Sequence, residues 1–586
     1  MKPPVFLVPP LACTMLLVAA CSTDPGRQEA APEEAGPSRP AQPASPAPPA
    51  PPAPYPGTAG QAIASSQLAV QPLMRMPNPP YLPPGPPMPA QGVDKFPDRE
   101  ANKSVLVAEQ PVSTFSADVD TASYAFVRRM LSAGRQPPPE AVRVEEMVNY
   151  FPYGYAAPRD PARPFAIGTE VVPSPWKAGN QLLHIAVRGY DMQAAERPRA
   201  NVVLLVDVSG SMMPPDRLPL LQQAFRLFAE GLRDDDTVAI VTYANGTHVA
   251  LEPTAGKYRG KIAGAIAALQ GGGGTAGGAG LQRAYELAAR NFDPKAVNRV
   301  ILATDGDFNL GMTNPRQLEQ FVVDQRRRGV YLSILGVGAG NLNDALMQRL
   351  AQSGNGNAAY IDSLLEARKV LGEELGSTMF PIANDVKLQV EFNPAQVAAY
   401  RLIGYETRML QRQEFKDDKV DAGDIGAGHT VTAIYEITPA GAAAGLVDPP
   451  RYGANRPARP AADARKGGDK ELCFVKLRYK LPGEAASRQL EHPVAATAAR
   501  RSLDAAPHDQ RFAIAVAAFG QRLRGEPQLA DMDYAQIAAL ANAARGQDPE
   551  GYRAEFVKLV RMAESLDKVG PQLGQGSPGP VPVLRR

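Results

Sequence analysis

The chain has 586 residues, which is too long for a single hydrophobic core and predicts two to four domains. Its 62 Lys and Arg residues nearly balance its 60 Asp and Glu residues, and a formal charge of +2 argues against a nucleic-acid-binding protein. The hydrophobic content of 44% is enough for packed domains beyond the proline-rich first hundred residues.

The first twenty residues have the pattern of a targeting segment. Lys2 provides a positive charge, and residues 5–20 are almost wholly apolar but too few for a membrane span. Small residues precede Cys21, an arrangement that resembles a bacterial lipobox. The resemblance implies removal of residues 1–20 and membrane anchoring through several acyl chains on Cys21. Ser22 resembles the outer-membrane sorting signal of Gram-negative bacteria. The alternative is an ordinary secretory signal with an incidental cysteine.

Residues 22–98 are rich in Pro, Ala, Gly, Ser and Gln and cannot bury a core, and we assign residues 21–110 to one segment. We expect a disordered, extended tether that holds a folded head away from the membrane. Cys13 would be removed with the signal and Cys21 acylated, so Cys473 is the one free thiol expected in the mature chain, and no intramolecular disulfide can form.

Residues 111–160 predict a helical region, with one helix over residues 140–151 after a run of three prolines. Residues 161–200 contain two strand-like runs. These strands can join the later β-rich segment, in which case the domain between them would be an insertion.

Residues 201–380 alternate apolar strands with amphipathic helices. This order predicts an α/β domain with a doubly wound, mostly parallel sheet and helices on both faces. The carboxyl edge of such a sheet is where ligands bind.

Two strands of this domain end in acidic turns. The first runs into Asp207-x-Ser209-x-Ser211, and the second ends in Thr-Asp305-Gly. A glycine-rich loop with Thr275 lies between them in the chain. Carboxylates and hydroxyls without His or Cys suit Mg²⁺, with Mn²⁺ or Ca²⁺ as alternatives, rather than zinc. The competing interpretation is that the two serines cap the following helix and that the glycines form a flexible loop.

This order of motifs resembles the metal-ion-dependent adhesion site (MIDAS) of the von Willebrand factor type A domain. The resemblance implies that Ser209, Ser211 and Thr275 ligate the ion through hydroxyls, and that Asp207 and Asp305 act mostly through bound waters. It also implies one coordination position for an Asp or Glu carboxylate of a partner protein. All five positions of the family's motif are present in this chain.

The remaining chain predicts two further regions and a tail. Residues 381–482 form a β-sandwich-like domain with a mobile insert at 440–469, residues 483–569 a helical region, and residues 570–586 a disordered tail. Together with the N-terminal helical region, they resemble the flanking regions of bacterial von Willebrand-type lipoproteins.

The sequence contains no G-x-S-x-G elbow, H-E-x-x-H pair or phosphate-binding loop. We therefore expect a non-enzymatic, lipid-anchored protein of the bacterial cell envelope, at the outer membrane, that binds a protein partner through a divalent ion. The alternatives are an envelope-assembly or stress scaffold with a structural metal site, and a recruiting subunit of an envelope hydrolase.

Overall fold

A computed structural model of the chain describes residues 94–97, 100–117, 120–158, 160, 162–193, 196–274, 278–306, 314–338, 340, 342–374, 379–420, 422–442 and 470–569. The predicted signal peptide, residues 21–93 of the predicted tether, residues 443–469 of the predicted insert and the predicted tail lie outside these ranges.

The structure describes ordered residues that precede residue 110, at 94–97 and from residue 100 onward. The backbone N–H of Lys95 donates to the Leu342 carbonyl at 2.8 Å, and strand β1 (Val105–Leu106) pairs with a strand nearly three hundred residues later. The predicted tether therefore extends too far, because long-range backbone pairing orders its last residues. Strand β2 (Val112–Ser116) and helices α1 (Ala122–Ser132) and α2 (Val144–Asn149) follow.

The helix predicted over residues 140–151 forms only in part. A single 3-10 turn, Pro139–Ala141, precedes α2, and Arg143 between them is extended, with φ −99° and ψ 109°. The Arg143 N–H donates to Ser123 Oγ at 2.9 Å, and its guanidinium donates to the Asp344 carboxylate at 2.8 Å. These tertiary bonds fix Arg143 outside the helical conformation.

Two strands, β3 (Phe165–Pro173) and β4 (Gln181–Gly189), lead into the central domain. The central domain contains β5 (Ala200–Asp207), α3 (Leu218–Glu230), β6 (Thr237–Tyr243), β7 (Thr247–Ala255), α4 (Arg259–Ala267), α5 (Gly278–Arg290), β8 (Val297–Thr304), α6 (Pro315–Arg327), β9 (Val330–Val337), α7 (Asp344–Ser353), β10 (Ala358–Ile361), α8 (Leu364–Arg368) and a π-helical turn, Lys369–Glu373.

The central sheet has the strand order β10-β9-β8-β5-β6-β7, and every neighbouring pair except β6–β7 is parallel. Its middle strands β5 and β8 are buried along their whole length. Side chains such as Phe225 and Phe228 of α3 pack on one face, and Leu281 and Tyr285 of α5 pack on the other. The predicted doubly wound α/β sheet is confirmed.

The chain then forms a β-sandwich. Its later strands are β11 (Pro381–Phe392), β12 (Val397–Ile403), β13 (Ile425–Gly426), β14 (Thr430–Pro439), β15 (Glu471–Lys480) and β16 (Ser487–Ala495). One antiparallel sheet has the order β1-β12-β14-β4-β3, and the other contains β13-β11-β15-β16 with β2 also paired to β11. Because β4 pairs with β14, the central domain is inserted between strands of this sandwich.

Three helices close the described chain: α9 (His508–Leu523), α10 (Tyr534–Ala543) and α11 (Tyr552–Val569). Phe512 and Phe556 of this region share an apolar core with Met147 and Phe151 near α2, so the N-terminal and C-terminal helices form one packed unit. None of the helices in the described ranges has both the length and the apolar character needed to cross a membrane.

Candidate metal centre

The first part of the candidate centre is the turn that follows β5. Asp207 ends this buried strand and is itself fully buried, and its Oδ1 accepts a hydrogen bond from the Ser209 N–H at 2.8 Å. The hydroxyl oxygens of Ser209 and Ser211 are 3.1 Å apart. Helix α3 begins at Leu218, and neither serine caps it. The helix-cap interpretation of Ser209 and Ser211 therefore does not hold.

The glycine-rich loop is fixed to this turn by its backbone. The Gly272 N–H donates to the Val208 carbonyl at 2.8 Å, and the Gly210 N–H donates to the Gly273 carbonyl at 2.9 Å. Gly273 has φ +84°, a conformation that favours glycine. The loop is thus a docked element, and the next residue after Gly274, the predicted ligand Thr275, lies outside the described residues.

The second acidic turn follows β8, the strand next to β5 in the sheet. β8 lies parallel to β5, with Val206 opposite Ala303, so both strands present their carboxyl ends at one edge of the sheet. Asp305 follows β8 directly and is 1% exposed. Thr304 Oγ1 donates to Asp207 Oδ2 at 3.4 Å, which links the two turns. The structure therefore brings Asp207, Ser209, Ser211 and Asp305 to one place.

Burial is the main electrostatic influence on the Asp207 carboxyl. It raises the pKa of Asp207, hydrogen bonds from Ser209 oppose that shift, and the nearby Asp305 carboxylate raises the pKa further. Two buried carboxylates that repel each other are stabilised by a cation between or beside them.

The donors that are present fit a hard divalent cation. They comprise two carboxylates and two hydroxyls, all oxygen, as Mg²⁺ prefers. Within the described residues, no group of three or more His, Cys, Asp or Glu side chains is arranged so that it could hold a metal ion. That finding is compatible with a centre in which hydroxyls form half of the described donors. Cys21, the predicted acyl acceptor, lies outside the described residues.

Two residues that contact the candidate centre, Arg217 and Asn245, belong to none of the motifs found in the sequence. Arg217 forms an ion pair with Asp305, and its Nη1 donates to the Ser211 carbonyl at 2.8 Å. Asn245 follows β6, and its Oδ1 accepts from the Gly274 N–H at 2.6 Å. The position of Asn245 just after a parallel strand was an available signal, since that strand ends at the same sheet edge. No sequence pattern near Arg217 indicated that its side chain would contact Asp305.

Comparisons with known proteins agree with this architecture. A family model described as von Willebrand factor type A domain matches residues 202–307, and one described as von Willebrand factor matches residues 90–184. A third, for the C-terminal region of the uncharacterized protein YfbK, matches residues 377–566. Type A domains commonly contain a MIDAS metal site and often act as protein-interaction modules.

Among curated relatives, the protein named uncharacterized protein YfbK of Escherichia coli strain K12 is 43% identical over 484 residues, which is 82% of this chain and 82% of that protein. Among solved structures, a von Willebrand factor type A protein from Catenulispora acidiphila is 17% identical, with a TM-score of 0.39, and the match covers 70% of this chain and 91% of that chain. Proximal thread matrix protein 1 from the mussel byssus, with a zinc-occupied MIDAS motif, is 23% identical over 32% of this chain and 46% of that chain, with a TM-score of 0.26.

None of these relatives' names indicates an enzymatic activity. The identity and coverage of the Escherichia coli relative, together with the family models on both sides of the central domain, define the family. The chain belongs to the YfbK family of bacterial proteins that contain a von Willebrand factor type A domain.

Proposed function

We propose that this protein is a cell-envelope lipoprotein that binds a protein partner through a divalent-metal centre, without catalysing a reaction. The centre comprises Asp207, Ser209, Ser211, Thr275 and Asp305, and Mg²⁺ is the proposed ion. The observation that carries the proposal is the convergence of both acidic turns and the docked glycine loop at the carboxyl edge of one sheet.

The distribution of burial in the centre supports docking of a partner. The two carboxylate residues of the centre, Asp207 and Asp305, are buried. By contrast, Gly272–Gly274 are exposed and Ser211 is half-buried. Met213, two residues after Ser211, is 63% exposed. The two buried carboxylates can thus stabilise a bound cation from the interior of the domain. The Ser211 hydroxyl lies toward solvent, next to the exposed apolar side chain of Met213.

A divalent ion held there would supply a positive centre for an Asp or Glu carboxylate of the partner. The residues of this chain orient that centre: the Ser209 N–H fixes the Asp207 carboxylate, and the docked loop fixes the backbone that leads to Thr275. Because hydrogen bonds hold the described residues of the turn and of the glycine loop, little ordering of these residues opposes the binding of a partner.

The location in the envelope is proposed from the N-terminal pattern. Lys2, the short apolar run and Cys21 support a lipid anchor, and the Pro/Ala-rich segment supports a tether. The outer membrane is the proposed site because Ser22 follows Cys21.

A second candidate, a scaffold with a structural metal, is favoured by one observation. The Arg128 guanidinium of α1 pairs with Asp362 and Glu366 of the central domain and with Glu555 of α11. The central domain is therefore joined by a buried ionic network to the rest of the body rather than projecting from it. A strong rise in melting temperature on adding Mg²⁺, in the absence of a partner, would favour the scaffold.

The test is a pull-down from envelope extract with the full-length chain in detergent. Asp207→Asn retains the shape of the side chain but removes its charge, so we expect Mg²⁺-dependent capture of a partner to be lost. Asp234→Ala, which removes a largely exposed carboxylate elsewhere in the same domain, serves as the matched control and should capture as wild type does. Capture that persists in EDTA, or in Asp207→Asn, would refute the proposed function.

A further inference from the structure

Arg217 places a fixed positive charge inside the candidate metal centre. It immediately precedes α3, pairs with the Asp305 carboxylate, and donates to the Ser211 carbonyl at 2.8 Å. The Arg217 side chain is 13% exposed and that of Asp305 is fully buried. Solvent therefore screens this pair only weakly, and the Arg217 charge can act on another charged group bound in the centre.

The fold makes room for this guanidinium. Gly338 follows β9 with φ +73°, and a Cβ at this position would lie 2.3 Å from Arg217 Nε and 2.7 Å from its Cγ. The Gly338 carbonyl also accepts from Arg129 Nη1 at 2.8 Å and from the Tyr360 hydroxyl, which fixes the backbone there. The position of Arg217 is thus set by a neighbouring strand end as well as by its own helix.

The charges of the described groups have a simple sum. Asp207 and Asp305 contribute two negative charges and Arg217 one positive charge, so these three described groups together carry one net negative charge when no ion is bound. A divalent cation would turn this into one net positive charge, which a single partner carboxylate would neutralise. Without Arg217, the two carboxylates would already neutralise the cation, and the loaded centre would attract an anion less strongly.

We propose that Arg217 determines the selectivity of this centre: it weakens the binding of the divalent cation and strengthens the binding of a carboxylate ligand to the loaded centre. This inference rests on the proposed function and adds the sign of the charge that a partner must present. The affinity for the cation and the affinity for the carboxylate ligand should therefore change in opposite directions when Arg217 is replaced. In a simple cation site, both affinities would change in the same direction.

The experiment compares full-length wild type with Arg217→Gln, which can still donate a hydrogen bond but lacks the charge, and with Arg217→Lys, which retains the charge. Arg226→Gln removes an exposed charge from the same helix and is the matched control. Mn²⁺ affinity is measured by isothermal titration calorimetry. Acetate affinity is then measured on the Mn²⁺-loaded protein through the loss of water-proton relaxation enhancement.

For Arg217→Gln we expect Mn²⁺ to bind about tenfold more tightly, or more, and acetate to bind several-fold more weakly, while Arg217→Lys and Arg226→Gln stay near wild type. If Arg217→Gln does not fold, Arg217→Met, which keeps the aliphatic stem, is measured in its place with the same expectation. Equal or weaker Mn²⁺ binding in the neutral variant overturns the inference but leaves the proposed function standing. Absence of Mn²⁺ binding by wild type overturns both.

Discussion

The docking of the glycine-rich loop can be tested at one residue, Gly273. A Cβ added there would lie 2.6 Å from Asn245 Nδ2 and 2.9 Å from Asn245 Cγ. The backbone at Gly273 has φ +84°, and its carbonyl accepts from the Gly210 N–H at 2.9 Å. Gly273→Ala would therefore strain the backbone and displace Asn245, whose Oδ1 accepts from the Gly274 N–H at 2.6 Å.

The size of the effect follows from these contacts. A residue with a Cβ in the left-handed region costs roughly 1–2 kcal/mol. The loss of the Asn245 hydrogen bond adds about 1 kcal/mol. The two effects together are about 2–3 kcal/mol, and since each 1.4 kcal/mol is about tenfold in an equilibrium constant, we expect Mn²⁺ affinity to fall by about thirty- to a hundredfold. The loop is exposed, so the melting temperature should change little.

The assay is calorimetric titration of Mn²⁺ into the full-length protein, with melting curves as the measure of folding. Gly272→Ala is the matched control, because a Cβ at Gly272 meets no atom within 4 Å. We expect this variant to bind Mn²⁺ as wild type does. The reasoning would be refuted if Gly273→Ala bound Mn²⁺ normally, or if Gly272→Ala weakened binding as much.

Two further predictions concern buried charges outside the centre. Burial and two neighbouring glutamates raise the pKa of Glu145 to about 7, so the folded state holds the proton that the unfolded chain releases near 4.5, and stability is lost as the pH rises through this range. Urea unfolding should show Glu145→Gln more stable than wild type at pH 8, by on the order of 1–3 kcal/mol, with a smaller difference at pH 5; an equal difference at both would contradict this. Arg128→Met leaves Asp362 and Glu366 buried without their cation and should destabilise the protein by about 3–5 kcal/mol in urea unfolding. Arg283→Met, at an exposed ion pair, should change stability by less than about 1 kcal/mol, and equal effects of the two arginine variants would contradict the expectation.

Much of the centre could be predicted because its signals are local. The apolar runs before Asp207 and Asp305 predict buried strands, and parallel strands bring their carboxyl ends to one edge. The glycines before Thr275 predict a close backbone approach, which the bond between Gly210 and Gly273 shows. Each of these inferences depends on residues within about ten positions of one another along a strand or a turn.

Other features had no such signal. The pairing of β4 with β14 joins strands about 250 residues apart, and periodicity gives a strand's existence but not its partner. The predicted tether includes residues 94–97 and 100–110, yet backbone bonds to Leu342 and Ala398 hold them in the fold. The helix predicted over residues 140–151 forms only in part, because Arg143 bonds to Ser123 and Asp344.

The sequence by itself determined the α/β class, the two acidic turns and the oxygen-rich chemistry of the centre, because strand periodicity and motif spacing are properties of neighbouring residues. Only the tertiary structure decided that the central domain is inserted in a sandwich and that Arg217 lies against Asp305. That ion pair depends on the start of one helix, the end of a strand and the space left by Gly338 meeting at one point. The charge of the centre is therefore set by contacts between residues distant in the chain, which the packed fold brings together.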